Sequence, residues 1–262
     1  MQLYIMKQYS VIILFLLIGL SACKKIIQVD LNNAPSQLVI EGLVTNANTT
    51  KVSLTKSVKF SADNAFPAVS GAVVLITDNL GKTYTLTETT PGNYTNSSLT
   101  GIPGRTYNLS ITTAGIHYSA SSTMPPEVNF DTLFTEKISF VGKQITILHP
   151  KYTDPVDFGN YYQFIETINH TINKKIFVWD DRLNVGGIST RPLIETDSTI
   201  NSGDTLQVEM RCIDKNIFRY FTALMDFQNN SATPANPDSN ISGGCLGYFS
   251  AYTSQSKKVR VP

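Results

Sequence analysis

Val69-Ser70-Gly71-Ala72-Val73-Val74-Leu75-Ile76-Thr77-Asp78-Asn79-Leu80-Gly81-Lys82-Thr83-Tyr84-Thr85-Leu86 is the stretch that decides the fold class. Residues 72–77 are apolar on both faces, as a central strand buried between two layers must be. Asp78-Asn79-Leu80-Gly81 supplies turn chemistry, and beyond it Tyr84 and Leu86 alternate with threonines, the period of a half-buried strand. The unit predicts a β-hairpin. Gly81-Lys82-Thr83 resembles the end of a phosphate-binding loop. That loop needs a glycine five positions before its second one, and Ile76 stands there, so the tripeptide reads as a hairpin turn.

The same rhythm extends in both directions. Leu38, Ile40, Gly42 and Val44 share one strand face, and Val52, Leu54 and Lys56 define a second strand after the turn Asn46-Ala47-Asn48. Towards the carboxyl end come Gly92-Asn93-Tyr94, Pro103-Gly104, then Tyr107, Leu109 and Ile111, and a hairpin at Ala114-Gly115. Met124-Pro125-Pro126 ends the unit, because consecutive prolines donate no ladder hydrogen bonds. Residues 37–126 therefore predict one β-sandwich, and the pattern is similar to transthyretin-like, carboxypeptidase-regulatory-like and Ig-like domains.

Residues 127–262 predict a second, antiparallel β-domain. Ile145 and Ile147 alternate before His149-Pro150; Tyr161 to Ile168 and Lys174 to Trp179 read as paired strands; Thr205 to Ile213 is another. One amphipathic helix interrupts the strands over about 214–229. Ile217, Tyr220, Phe221, Leu224 and Met225 recur at helical spacing, with Asp214 as N-cap and Asn229-Asn230 as the end. The fold class is mainly β, with the helix as its one exception.

Composition excludes one class of partner. Lys and Arg total 21 against 20 Asp and Glu. A chain so balanced lacks the basic footprint that nucleic-acid backbones require.

The amino end reads as a lipoprotein signal. Lys7 precedes the apolar run Val11 to Leu20, which is too short for the roughly twenty residues of a membrane-spanning helix. Leu20-Ser21-Ala22-Cys23 resembles a bacterial lipobox, which predicts residues 1–22 as the signal, lipid attachment at Cys23 and a tether over 23–36. Either Met1 or Met6 serves as the start without changing the mature chain. No Asp follows Cys23, which resembles an outer-membrane address, with the membrane face left open. Beyond Cys23, Cys212 and Cys245 are the remaining thiols. In an oxidising compartment they form a candidate disulfide, the alternative being two separate buried thiols.

Catalytic motifs are scarce. There is no Gly-x-Ser-x-Gly elbow and no His-Glu-x-x-His, and His117, His149 and His170 stand far apart in sequence. Asp154, Asp157 and Asn160, in a loop broken by Pro155 and Gly159, form an oxygen-rich Ca²⁺ candidate. The competing reading is turn side chains that bond their own backbone. Asp180-Asp181 is an acid pair, but neighbours on a strand point to opposite faces, which weighs against glycoside hydrolysis. The long segment Ala235 to Gly244 is the candidate partner contact, through Asn236, Pro237, Asn240, Gly243 and Gly244. Its competing role is to brace the helix against the closing strand.

The chain also resembles the bacterial lipoproteins catalogued as domain of unknown function 4249. The resemblance rests on Leu38-Val39-Ile40-Glu41-Gly42, on Thr153-Asp154-Pro155 with Gly159-Asn160-Tyr161-Tyr162, and on Trp179-Asp180-Asp181-Arg182-Leu183. It is carried furthest by Ala235-Asn236-Pro237, Ser239-Asn240-Ile241-Ser242-Gly243-Gly244 and Leu246-Gly247-Tyr248-Phe249-Ser250-Ala251. The resemblance implies an envelope protein of a kind whose genes often accompany TonB-dependent outer-membrane receptors, and it brings no active site or cofactor. The resemblance implies a non-catalytic docking partner of such a receptor. A structural envelope lipoprotein is the alternative, and a carbohydrate-active or other hydrolase the third.

Overall fold

Strands β3 (Val73–Asp78) and β4 (Thr83–Thr90) form the expected hairpin, with Val74 opposite Leu86 and Ile76 opposite Tyr84. Asp78 closes its turn. One carboxylate oxygen accepts the N–H groups of Leu80 and Lys82, each at 3.0 Å, and the other takes Arg105 Nη1 at 2.9 Å. The pairing of this buried acid explains why it is tolerated beside the core. The computed structural model describes residues 35–47, 49–58, 65–140, 142–194, 200–229 and 236–262. The signal, Cys23, Ala235 and nearly all of the tether lie outside the described residues.

Strands β1 (Leu38–Thr45), β2 (Thr50–Lys56), β5 (Asn93–Asn96), β6 (Thr106–Thr113) and β7 (Ile116–Thr123) join the hairpin in the first half of the chain. The second half contributes β8 (Phe130–Phe140), β9 (Lys143–Thr153), β10 (Tyr161–Ile168), β11 (Thr171–Ile172), β12 (Phe177–Asp180), β13 (Ile188–Ser189), β14 (Thr205–Ile213), β15 (Ile241–Ser242) and β16 (Leu246–Arg260). The large sheet runs β11-β10-β14-β16-β1-β2-β5-β4-β3-β6-β7-β15, with β12 paired to β10; β13-β9-β8 is a smaller sheet. The protein is thus mainly β with one helix among the described residues.

Two cores follow from strand alternation. Ile40, Val52 and Leu54 of β1 and β2 meet Val74, Ile76, Leu109 and Ile111 of β3 and β6 in the first, which makes the first half a sandwich. Phe164, Leu206 and Met210 of β10 and β14 meet Phe130, Leu148 and Tyr152 of β8 and β9 in the second. The expected boundary at 126/127 falls between β7 and β8, while the first core also takes in Ile241, Phe249 and Ala251 from the end of the chain.

Strand β16 belongs to both halves. Its first part lies parallel to β1, with Gly42 opposite Phe249, and its last part lies antiparallel to β14, with Cys212 opposite Thr253. Phe249 and Ala251 enter the first core, while Val259 packs on the second. Residues 37–126 therefore do not complete their own sandwich, and residues 36–262 form one compact unit. The expected antiparallel pairing holds for β10–β14 and β14–β16, whereas β1 and β16, from the two halves, pair in parallel. A parallel neighbour needs a long crossover, and here nearly the whole chain separates β1 from β16.

Helix α1 (Lys215–Gln228) starts where the sequence places it, because the Asp214 carboxylate accepts the N–H groups of Asn216 at 2.8 Å and Ile217 at 3.0 Å. Ile217 is buried against Val178, Ile213 and Tyr252, with Phe218, Phe221 and Met225 packed around them. Ile213 and Tyr252 each follow a residue that faces a core, Cys212 and Ala251. Alternation therefore sets the helix on the opposite face of the large sheet.

Candidate functional site

Of the segment 235–244, expected to be the contact loop, the described part from residue 236 is largely tied to the fold. Asn240 Nδ2 donates to the Phe249 carbonyl at 2.8 Å, and its Oδ1 accepts the Phe249 N–H at 2.9 Å. The Ser239 hydroxyl donates to the Gly247 carbonyl at 2.7 Å. Gly243, at φ +116°, lies so close to β7 that a Cβ there would come within 2.6 Å of the Tyr118 ring and 2.8 Å of the His117 carbonyl. Asn240 and Gly243 therefore brace the closing strand. Exposure does not separate the set, since Gly243 is as exposed as Asn236 and Gly244, and Asn240 is half-buried like Pro237; what distinguishes Asn240 and Gly243 is that they are engaged by Phe249 and by β7.

The Ca²⁺ candidate is divided by the structure. Asp154 is buried and accepts a short hydrogen bond from the Tyr162 hydroxyl, whereas Asp157 is exposed. Asn160 Nδ2 donates to the Asp157 carbonyl at 2.5 Å and to Asp181 at 3.2 Å. Among the described residues, no group of three or more His, Cys, Asp or Glu side chains could hold a metal. Burial pushes the Asp154 carboxyl above the usual Asp range, with nearby Asp181 acting in the same direction; the Tyr162 hydrogen bond opposes both. Burial also raises Tyr152 to about 12, although Trp179 Nε1 donates to its hydroxyl at 2.8 Å.

The candidate disulfide is corrected: Cys212 and Cys245 are both free and buried. Cys212 belongs to the second core and Cys245 to the first, because β14 turns its odd and even residues to opposite faces while Cys245 precedes β16 beside the first sandwich. Burial pushes the Cys212 thiol up to about 11 and raises Cys245 as well.

A different place gathers exposed chemistry. An open cleft of about 500 Å³ lies at the amino end of α1, walled by Phe158, Tyr161 and Phe218 and rimmed by Arg182, Lys215 and Arg219. Its floor comes from the β10–β12 pairing, which sets Tyr161 opposite Asp180. Asp181 then clamps the neighbouring loop, its Oδ2 accepting the N–H groups of Gly159 at 2.7 Å and Asn160 at 2.9 Å. Tyr161 stacks on Phe218 with ring centres 4.9 Å apart, which joins the helix to this edge. Thus Gly159-Asn160-Tyr161 and Asp180-Asp181-Arg182, two of the motifs quoted from the sequence, meet in space. Arg182 stands in a quoted motif but, like Lys215 and Arg219, carries no chemical pattern of its own in the sequence. The signal of Lys215 and Arg219 is their four-residue spacing, which puts both on one helix face.

The family described as Domain of unknown function (DUF4249) matches residues 24–258. The chain belongs to that family. A comparison with curated proteins finds no match. Among solved structures, a two fibronectin type-III domain segment from chicken tenascin is similar at 10% identity, covering 87% of this chain and 100% of that one, with a TM-score of 0.27. So loose a superposition carries no functional weight.

Proposed function

We propose that this DUF4249 protein is a lipid-tethered, non-catalytic docking protein of the outer membrane that serves a TonB-dependent receptor through the cleft at the start of α1. The observation that carries the reading is the exposure of large apolar side chains on the loops beside it. Val156 is 77%, Phe158 78% and Leu183 90% exposed. Adjacent loops that leave large apolar groups in water beside aromatic walls resemble a contact surface more than a scaffold face. Tethering at Cys23 supports the reading physically, because an anchored module meets a membrane receptor at a raised effective concentration. The receptor itself comes from the resemblance to envelope lipoproteins whose genes accompany such receptors.

The test is affinity capture of the full lipidated chain from gently solubilised, cross-linked native outer membranes. The expected result is a TonB-dependent receptor recovered with wild type and depleted with Phe158→Ser. Absence of any receptor from the wild-type capture overturns the reading in favour of a structural envelope role.

A further inference from the structure

We propose that protonated His149 latches the segment 188–194 over Trp179, and that this strap loosens when the ring loses its proton. The device stands apart from the docking reading and does not depend on it.

The strap is anchored on either side of its middle. Ile188 and Ser189 form β13, paired with Thr153 and Tyr152 of β9. The Leu193 N–H donates to the Leu148 carbonyl at 2.8 Å, and its side chain is buried in the second core. Between these anchors Thr190 and Arg191 are exposed. His149 holds this stretch from below, its Nδ1 2.9 Å from the Thr190 carbonyl oxygen. Arg191 can then lay its guanidinium over the Trp179 ring, 5.0 Å from the centroid. With Pro192, Ile194 and Met225 it borders an open cleft of about 290 Å³ whose aromatic wall is Phe177 and Trp179. Loosening the strap therefore uncovers Trp179.

Two acceptors meet the ring, and only the imidazolium has a hydrogen for each. The side chain is 12% exposed, and Nε2 is closed to solvent. Nε2 lies 3.0 Å from Glu136 Oε2 but off the axis of a hydrogen bond, so charge links the two rather than alignment. Stacking on Phe134, with ring centres 4.9 Å apart and planes at 5°, fixes the ring between its partners. A neutral ring has one hydrogen to share. If it sits on Nδ1, the Nε2 lone pair faces a carboxylate; if Glu136 draws it to Nε2, the Nδ1 lone pair faces the Thr190 carbonyl. Either tautomer exchanges an attraction for a repulsion, and the charge-assisted hold on Thr190 is lost. The latch is thus in place at low pH and is lost as pH rises.

Other charges on the surrounding elements do not replace Glu136. On β9, Lys151 shares the ring's face two residues along and acts against the charged form, but Glu136 is in direct contact and outweighs it. On β8, Lys137 is paired with Thr146 on the other face, and Asp131 accepts from Asn129 and from the Thr153 hydroxyl. On the strap, Arg191 is engaged over Trp179.

Trp179 is the single tryptophan of the chain, so its fluorescence reports on the strap directly. Acrylamide quenching of the full-length protein would be followed from about pH 5 to about pH 8, across the ordinary His range, with far-UV dichroism to show that the fold is intact. The quenching constant should be low in acid and rise at least about twofold as the ring loses its proton. His149→Gln should abolish that step while His117 and His170 remain. Glu136→Gln should move the step to lower pH, because the charged ring loses the acid it touches. Asp154→Asn should keep the step, which separates the strap from the buried carboxyl near Tyr152. A flat wild-type profile, a step that survives His149→Gln, or a step that disappears in Asp154→Asn overturns the proposal. If His149→Gln fails to fold, Glu136→Gln decides: its carboxylate is 56% exposed and dispensable for packing, and an unchanged midpoint in that variant overturns the latch.

Discussion

Asn240 holds both main-chain groups of Phe249, donating to its carbonyl and accepting its N–H, and so substitutes for a neighbouring strand at the point where β16 enters the first core. Replacing Asn240 with Ala should leave two partly buried backbone groups without partners, a loss of about 1–3 kcal/mol. Urea denaturation measures it. Receptor capture by the folded fraction should be unchanged, since the side chain faces the fold.

Gly247 and Gly244 make a contrasting pair. At Gly247, φ is +97° and a Cβ would sit 2.0 Å from the Ile40 carbonyl oxygen of the parallel neighbour. At Gly244, φ is +77° and nothing lies within 4 Å of that position. Gly244→Ala should cost about 1–2 kcal/mol from backbone strain alone. Gly247→Ala must also part β1 from β16, and should show a clearly lower urea midpoint than Gly244→Ala.

Asp154 predicts a pH dependence. Burial holds its folded-state pKa above the unfolded value. Its contribution is therefore fully present below the ordinary Asp range and is lost as pH rises through the raised folded value, where a charge must form beneath the loop. Asp154→Asn mimics the neutral form and can still accept the Tyr162 hydroxyl. Relative to wild type, it should gain stability steadily from acid towards neutral pH in thermal melts. A pH-independent difference would remove burial of the charge as the cause.

Thiol titration tests the two-core arrangement. Ellman's reagent should find Cys212 and Cys245 unreactive in the folded protein at neutral pH and release both equivalents on unfolding without reductant. A missing pair after unfolding would mean a bridge between strands that the fold keeps in separate cores.

The anchor is tested by Cys23→Ser. Metabolic labelling with a fatty acid should be lost, along with membrane retention, because each buried CH₂ of an acyl chain contributes about 0.8 kcal/mol to anchoring. Labelling that persists in this variant would remove the lipid tether from the proposed function.

The class of fold was legible in the sequence because strand alternation, turn residues and caps are local. Residues 72–86 state a hairpin, and Asp214 followed by Ile217, Phe221 and Met225 states a capped helix, within a few residues of one another. Which strands pair across the whole chain was not legible. No local pattern specifies that Gly42 faces Phe249 in parallel, and that pairing requires glycine at position 247 and carries Phe249 into a core begun some two hundred residues earlier.

The candidate sites divide along the same line. Asn240, Gly243 and the two thiols looked like contact or bridging residues because the sequence shows residue type and spacing but not what each atom already holds. In three dimensions Asn240 is satisfied by Phe249, Gly243 leaves room for Tyr118, and the thiols lie in different cores. Conversely, Phe158, Arg182, Lys215 and Arg219 come from three separate segments and say nothing together until the β10–β12 register and the docking of α1 join them. The sequence by itself determined strands, turns and a capped helix, because those follow from the chain's own short-range sterics and hydrogen bonding. The tertiary structure alone decided which polar groups are spent inside the fold and which remain free at the cleft, because that depends on partners supplied from distant parts of the chain.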